Sequence, residues 1–215
     1  MSTESRVFAF DERHRVADPA ALCALLGEVG EASRMKEVDH VHPAYRALIE
    51  ASPFAIVATS GPGGLDASPR GDPPGFVCVE NDKTLLMPER RGNHRADTLH
   101  NLLVDPRIAL LFLVPGVGET LRVNGSAKIS VDPALLDRFV MQGKRPVCVL
   151  VVSVESVYFQ CARAIHRSSL WKPPDPDARS RVPSPGAILE ALTDAAIDGT
   201  TYDRELPERQ RTTLY

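Results

Sequence analysis

The chain of 215 residues has no apolar run long enough to cross a bilayer. It has no excess of positive charge: 25 Lys and Arg stand against 28 Asp and Glu, a net charge of −3. That balance argues against a general nucleic-acid binder, whose surface is basic. The four cysteines, Cys23, Cys78, Cys148 and Cys161, contain no Cys-x-x-Cys pair. Cys78 and Cys148 lie in apolar, strand-like runs, where a free buried thiol is the plain reading. The first residues, Met1 to Arg6, lack a basic segment followed by an apolar one. No secretory signal is therefore expected, and the protein is expected to be cytoplasmic with reduced thiols. There is no Gly-x-Gly-x-x-Gly or Walker-type loop and no internal repeat. His40 and His42 form a His-x-His pair without a third ligand at a telling distance, so no metal site is expected. No Ser-His-Asp, Cys-His or paired-carboxylate arrangement stands out, an absence that suits a protein whose cofactor carries the chemistry.

The chain does contain enough apolar residues, 43%, to build the core of one ordinary domain. It also gathers arginines between Ser68 and Gly125. Ser68-Pro-Arg-Gly-Asp72 is followed by Leu86-Met-Pro-Glu-Arg-Arg-Gly-Asn-His-Arg95, then Asp105-Pro-Arg107 and Glu119-Thr-Leu-Arg-Val-Asn-Gly125. Arginines at strand ends beside Gly, Asn and Pro suit a small anion such as a phosphate better than a nucleic-acid backbone.

Local signals divide the chain into short elements. Asp18-Pro19 opens a helix that Gly27 ends, and Pro43 opens a second helix to about Ala51. Phe54 to Thr59 reads as a strand. Ser60-Gly-Pro-Gly-Gly64 turns it into a returning strand, Asp66 to Arg70. Gly75 to Glu80 and Thr84 to Met87, joined at Asn81-Asp82, make a hairpin. Arg95 to Val104 has helical apolar spacing. Arg107 to Val114, Glu119 to Val131 and Val147 to Cys161 read as strands, with Gly125 a bulge or close-approach site. A helix from Asp132 to about Met141 separates the last two. Beyond Trp171 come Pro173, Pro174, Pro176, Pro183 and Pro185, read as a linker or surface-wrapping tail with one short helix, Pro185 to about Ala196. Asp203 to Tyr215 reads as irregular. Strands joined by tight turns, with two helical crossovers, favour an antiparallel barrel with helices at its edges, a mainly β, α+β class.

The order of these motifs resembles the pyridoxamine 5'-phosphate oxidase-like, FMN-binding split-barrel family, and within it the predicted flavin-nucleotide-binding subgroup. The resemblance covers roughly Pro53 to Trp171. It implies a six-stranded antiparallel Greek-key split barrel over residues 1–172, including the helical N-terminal region, and a Pro-rich tail over 173–215. It implies a homodimer with FMN in the groove between the subunits. By position, Arg70, with Gly71 and Asp72 beside it, resembles the strand arginine that meets the flavin's phosphate or ribityl end. Asn93, His94 and Arg95 resemble a phosphate clamp at a helix start, and Arg91 beside them can supply a further bidentate contact. Thr120 falls where the family often carries a Gln near the isoalloxazine ring, with Arg122 facing flavin or substrate from the same strand. Cys161, Arg163 and Arg167 are similar to the segment that the partner subunit lends to the site. The implied activity is hydride transfer between FMN and a small organic substrate. The run Arg70-Gly-Asp-Pro-Pro74 and the loose echo Ile165-His166-Arg167 depart from the authentic oxidase, so a different substrate is expected.

Other readings of these residues remain open at this stage. The arginines can pair with Asp72, Glu89 and Asp97 on a solvated surface, and Arg122 with an acidic neighbour across its strand. Cys161 can be a thiol activated by Arg163 or a structural cysteine. Trp171 can stack on a ring or pack at a subunit seam. A flavin-binding module without turnover, or a split barrel holding deazaflavin or haem, keeps the same fold.

Overall fold

The computed structural model describes residues 8–173 and 175–215. Met1 to Arg6 and Pro174, used above for the leader reading and the proline-rich tail, lie outside the described residues. The chain forms two compact units, residues 1–36 and 37–215. The first unit carries α1 (Pro19–Leu26) and α2 (Glu31–Met35). Asp18 caps α1 by accepting the Ala21 N–H at 2.8 Å, as the Asp-Pro opening predicts.

The second unit is one antiparallel sheet of seven strands: β1 (Phe54–Gly61), β2 (Gly64–Gly71), β3 (Cys78–Asn81), β4 (Thr84–Glu89), β5 (Arg107–Leu113), β6 (Thr120–Ser130) and β7 (Cys148–Gln160). Their order across the sheet is β2-β1-β5-β6-β7-β4-β3. The split-barrel architecture therefore holds, with seven strands in place of the expected six. Helices flank it: α3 (Pro43–Ala51), α4 (Asp97–Val104) between β4 and β5, α5 (Pro133–Asp137) between β6 and β7, and α6 (Arg163–Ser168) after β7. Period-2 alternation sorts the side chains. Val57, Leu110, Phe112, Leu121, Val123, Leu150 and Val152 point into the core, where they meet Ile49 of α3 and Leu102 of α4.

Gly125 sits at the expected irregularity. The β6–β7 register slips between Asn124 and Gly125. A methyl group at Gly125 would collide with the Ser153 carbonyl oxygen, so the two strands approach closely only because no Cβ is present. Gly61 plays a similar part, since a Cβ there would strike Asn101 of α4. The Asn101 amide donates to Thr59 Oγ1 at 3.2 Å, which fixes α4 on the β1–β2 hairpin.

The sheet has two ends, and side chains bring them together. β3 covers only the first half of β4, pairing as far as Cys78 with Leu86. Met87, Pro88 and Glu89 pair with β7 on one side only, and Pro88 has no N–H to offer a further strand. Across this open edge lies the end of β2. Arg70 Nε donates to Glu89 Oε2 at 2.8 Å, with side chains 17% and 14% exposed. Arg90 Nε donates to Asp72 Oδ2 at 2.8 Å, with side chains 16% and 2% exposed. The two pairs cross the split in opposite sense, each strand end giving one cation and one carboxylate. Arg90 Nη1 also reaches the Phe139 carbonyl at 2.6 Å, tying in the segment after α5.

The tail differs from its expected form. It contains α7 (Pro185–Leu192), shorter than read, and a second helix, α8 (Gly199–Thr212), where an irregular segment was expected. Gly186 and Gly199 let the two helices touch backbone to backbone, and Asp203 Oδ1 accepts the Gly186 N–H at 2.7 Å. α8 has little apolar face and carries Pro207 inside it, so neither periodicity nor propensity announced it. α2 and α6 also went unread; each is a single short turn of helix.

Two outcomes follow for stability in urea. Gly125→Ala should lose about 1–3 kcal/mol through overpacking. Glu89→Ala should lose about 2–3 kcal/mol, because it strands a largely desolvated guanidinium, whereas Arg145→Ala, which breaks the exposed pair with Asp137, should change stability by less than about 1 kcal/mol.

Candidate functional site

The residues of β2 that face the split are Asp66, Ser68 and Arg70, at alternate positions on one face. They form a connected polar row. Ser68 Oγ donates to Asp66 Oδ1 at 2.8 Å, and Thr98 Oγ1 donates to Asp66 Oδ2 at 2.5 Å. Arg70 Nη2 donates to Thr98 Oγ1 at 3.2 Å and Nη1 to the Pro69 carbonyl at 2.9 Å. Arg70 is thus held at three nitrogens, by Glu89, Pro69 and Thr98, and its remaining N–H groups are aimed in a fixed direction.

Arg70 lines a cleft of about 240 Å³. Its floor is Ser68 and Arg70, one wall is Glu89 to Gly92, and the other is Asn93 to Leu99, with Val147 at the rim. Residues 91–96 turn sharply between β4 and α4. His94 and Ala96 have φ values of 63° and 55°, left-handed conformations that cost L residues about 1 kcal/mol each. Asn93 Oδ1 accepts the Arg95 N–H at 3.1 Å, and Arg95 pairs with Asp97 at 2.5 Å in an exposed contact. Asn93 does not cap α4. Ala96 occupies the N-cap of α4 and no side chain caps it, so the first N–H groups of the helix remain open at the cleft wall.

The charge in this cleft is uneven. Arg70, Arg90, Arg91 and Arg95 line it against Glu89 and Asp97, a surplus of two positive charges. Each of the two carboxylates is matched to one arginine, Glu89 to Arg70 and Asp97 to Arg95, and Arg90 is matched to Asp72 outside it. Pairing with Asp72, Glu89 and Asp97 is therefore realised, and it consumes Arg90, Arg70 and Arg95. Arg91 is left with no ion pair, hydrogen bond or ring contact among the described residues. Arg90, absent from the sequence-based site, is the latch to Asp72; the Arg-Arg pair gave no signal of which arginine turns inward.

Gly71 and Asp72 line an adjoining slot on the far side of the latch. Here Tyr215 donates its hydroxyl to Asp72 Oδ1 at 2.7 Å, and the Arg90 guanidinium lies 5.5 Å from the Tyr215 ring centroid. The hydrogen bond to Asp72 pushes the Tyr215 phenol above its ordinary pKa, with burial adding to the effect.

The other expected site residues lie elsewhere. Thr120 pairs with Leu113, which pairs with Phe54, which pairs with Gly71. Three strand spacings, about 14 Å, separate Thr120 from the end of β2. Arg122 faces outward, away from Leu121 and Val123, and donates to the Tyr158 hydroxyl at 2.8 Å rather than to an acid. Cys161 is exposed. Arg163 and Arg167 are exposed on α6 and, like Arg91, have no partner among the described residues. The Trp171 indole donates to the Val117 carbonyl at 2.7 Å, fixing the loop before Thr120. Burial, reinforced by Glu89, pushes the Cys148 thiol up to about 11, leaving it an inert core residue. No group of three or more His, Cys, Asp or Glu able to hold a metal occurs among the described residues. No helix among them is long and apolar enough to cross a membrane.

The outward faces of β1, β5, β6 and β7 line up in three rows. They run Phe54–Leu113–Thr120–Gln160, Ile56–Leu111–Arg122–Tyr158 and Ala58–Ala109–Asn124–Ser156. Arg122 is the one charged side chain in these rows.

Comparison with known proteins now places this architecture. The pyridoxamine 5'-phosphate oxidase family model matches residues 41–161, more than half of the chain. No curated protein matches. Among solved structures, HupZ of Group A Streptococcus is similar at 20% identity over 56% of this chain and 94% of that one, with a TM-score of 0.48. General stress protein 26 of Bacillus anthracis str. Sterne is similar at 14% identity over 53% of this chain and 88% of that one, with a TM-score of 0.41. A protein described as the FAD binding protein of Mycobacterium smegmatis is similar at 14% identity over 57% and 97%, with a TM-score of 0.41. With its family match spanning β1 to β7, the chain belongs to the pyridoxamine 5'-phosphate oxidase family.

Proposed function

We propose that the protein binds FMN, with the flavin's phosphate in the cleft between Arg70 and the turn of residues 91–96. The observation that carries this reading is Arg91, the cleft arginine left without a partner among the described residues once Arg70, Arg90 and Arg95 are matched to Glu89, Asp72 and Asp97. A phosphate monoester carries about −1.5 to −2 charge at neutral pH and would draw on that cation and on the fixed guanidinium of Arg70. Arg70, pre-set by Glu89 and Thr98, offers fixed donors to it. Arg91 supplies a free guanidinium, and Asn93, His94 and the open start of α4 supply further donors. Glu89 and Asp97 stay neutralised by their own arginines, so they do not repel the anion.

The ring end of the ligand needs the remaining residues, and one chain keeps them apart. A second copy docked on the rows of β1, β5, β6 and β7, where Arg122 is the one charged side chain, would bring its Thr120, Arg122, Cys161, Arg163 and Arg167 toward the cleft of the first. The free cations Arg163 and Arg167 fit that arrangement, as does the low charge of the rows. We therefore assign the working form as a homodimer with FMN between subunits. When bound, the flavin exchanges a hydride with a small organic substrate. The protein's part is to bind, orient and exclude water, with Arg122 held in place by Tyr158 and His166 next to Gly118 at the entrance to β6. An FMN-loaded protein that no nicotinamide donor reduces, and that turns over no substrate, would instead be a flavin-binding or redox-sensing module.

The test is titration of FMN followed by quenching of its fluorescence. Arg91→Ala should weaken FMN binding about 10- to 100-fold, the loss of one charge-assisted phosphate contact. The same change should leave unfolding in urea within about 0.5 kcal/mol of the parent, because Arg91 holds nothing else. Unaltered FMN affinity in Arg91→Ala would overturn the assignment of the phosphate position.

A further inference from the structure

The slot beside the latch is occupied by the protein's own Tyr215. Its floor is Asp72, whose side chain is 2% exposed and whose two oxygens are both used: Oδ2 by Arg90 and Oδ1 by the Tyr215 hydroxyl. The Arg90 guanidinium stacks near the Tyr215 ring, and Phe76, Pro69 and Pro88 line the apolar sides. The slot adjoins the arginine cleft and shares Arg70, Glu89, Arg90, Arg91 and Gly92 with it. A further space of about 280 Å³ is open around the ring.

Three features suit a hydroxylated aromatic ring. A buried carboxylate oxygen facing the slot needs a donor, since an unpaired buried charge is costly. A guanidinium at 5.5 Å from a ring centroid favours a π-face over an aliphatic chain. Apolar walls favour a ring over a sugar or a polyol. Tyr215 meets all three, but it is tethered by only three residues beyond α8, where Leu214 is exposed and Lys144 Nζ holds the main-chain oxygen of Tyr215 at 2.8 Å.

We propose that this slot is a binding site for small hydroxylated aromatic molecules, and that Tyr215 is its internal, displaceable occupant. A free phenol or hydroxy-heteroaromatic would donate its hydroxyl to Asp72 Oδ1 and lay its ring beside Arg90, with Tyr215 swung out. This does not depend on FMN, because every contact used lies within the slot.

The experiment is chemical rescue of Tyr215→Ala. The variant should melt below the parent. p-Cresol, which restores ring and hydroxyl, should raise its melting temperature by about 3 °C or more. Toluene at the same free concentration, which restores the ring alone, should not. Equal shifts with both, or none with either, would overturn the proposal. Should Tyr215→Ala fail to fold, the parent protein decides the matter. p-Cresol at tens of millimolar exceeds the effective concentration of a tethered ring, on the order of millimolar. It should then speed hydrogen–deuterium exchange at residues 213–215, beyond α8, and unchanged exchange there would contradict a displaceable occupant.

Discussion

A sheet that curls into a split barrel leaves two strand ends side by side with no backbone ladder between them. Here that gap is bridged by Arg70–Glu89 and Arg90–Asp72, two ion pairs that cross in opposite directions. Neither is worth much as net stability against an apolar replacement, because desolvation offsets the attraction. Their value is positional. Each holds a guanidinium against a carboxylate at 2.8 Å, and the cleft, the turn of residues 91–96 and the Tyr215 slot are all built around the groups so held. Breaking one pair leaves a stranded charge, so the arrangement is held by the cost of disrupting it.

The same bridge sorts the arginines by role. Seven charged groups meet at the split and its rim, and pairing satisfies Arg70, Arg90 and Arg95 with Glu89, Asp72 and Asp97. Arg91 remains. An unpaired arginine in a concave site beside uncapped helix N–H groups is the arrangement on which the proposed phosphate position rests. Left-handed backbone at His94 and Ala96 on either side of Arg95 fits this view, since strain of that kind persists where the surrounding structure imposes it.

Much of the framework was readable from residues alone. Ser60-Gly-Pro-Gly-Gly64, Asn81-Asp82, Asp105-Pro106 and Asp132-Pro133 are local signals, and each lies at the turn or element boundary they announce. The long Val-rich run became β7, and Gly125 became the slip between β6 and β7. What could not be read is what depends on distant pairing. Whether Arg90 or Arg91 turns inward is decided by Asp72, eighteen residues from Arg90 in the chain. The seventh strand, β3, is four residues long and gains its identity only beside β4. α8 lacks an apolar stripe and contains Pro207, and its partner is α7 through Gly186 and Gly199. The contact of Tyr215 with Asp72 spans 143 residues and has no sequence signature at all.

The account rests on the claim that the cleft recognises a phosphate rather than a flavin ring. Comparing FMN with riboflavin, which has the ring and ribityl chain but no phosphate, tests it without any variant. Two charge-assisted contacts to the phosphate predict riboflavin binding about 100-fold weaker than FMN, or more. Equal affinity for riboflavin and FMN would contradict the claim, and would place the binding energy somewhere other than Arg70 and Arg91.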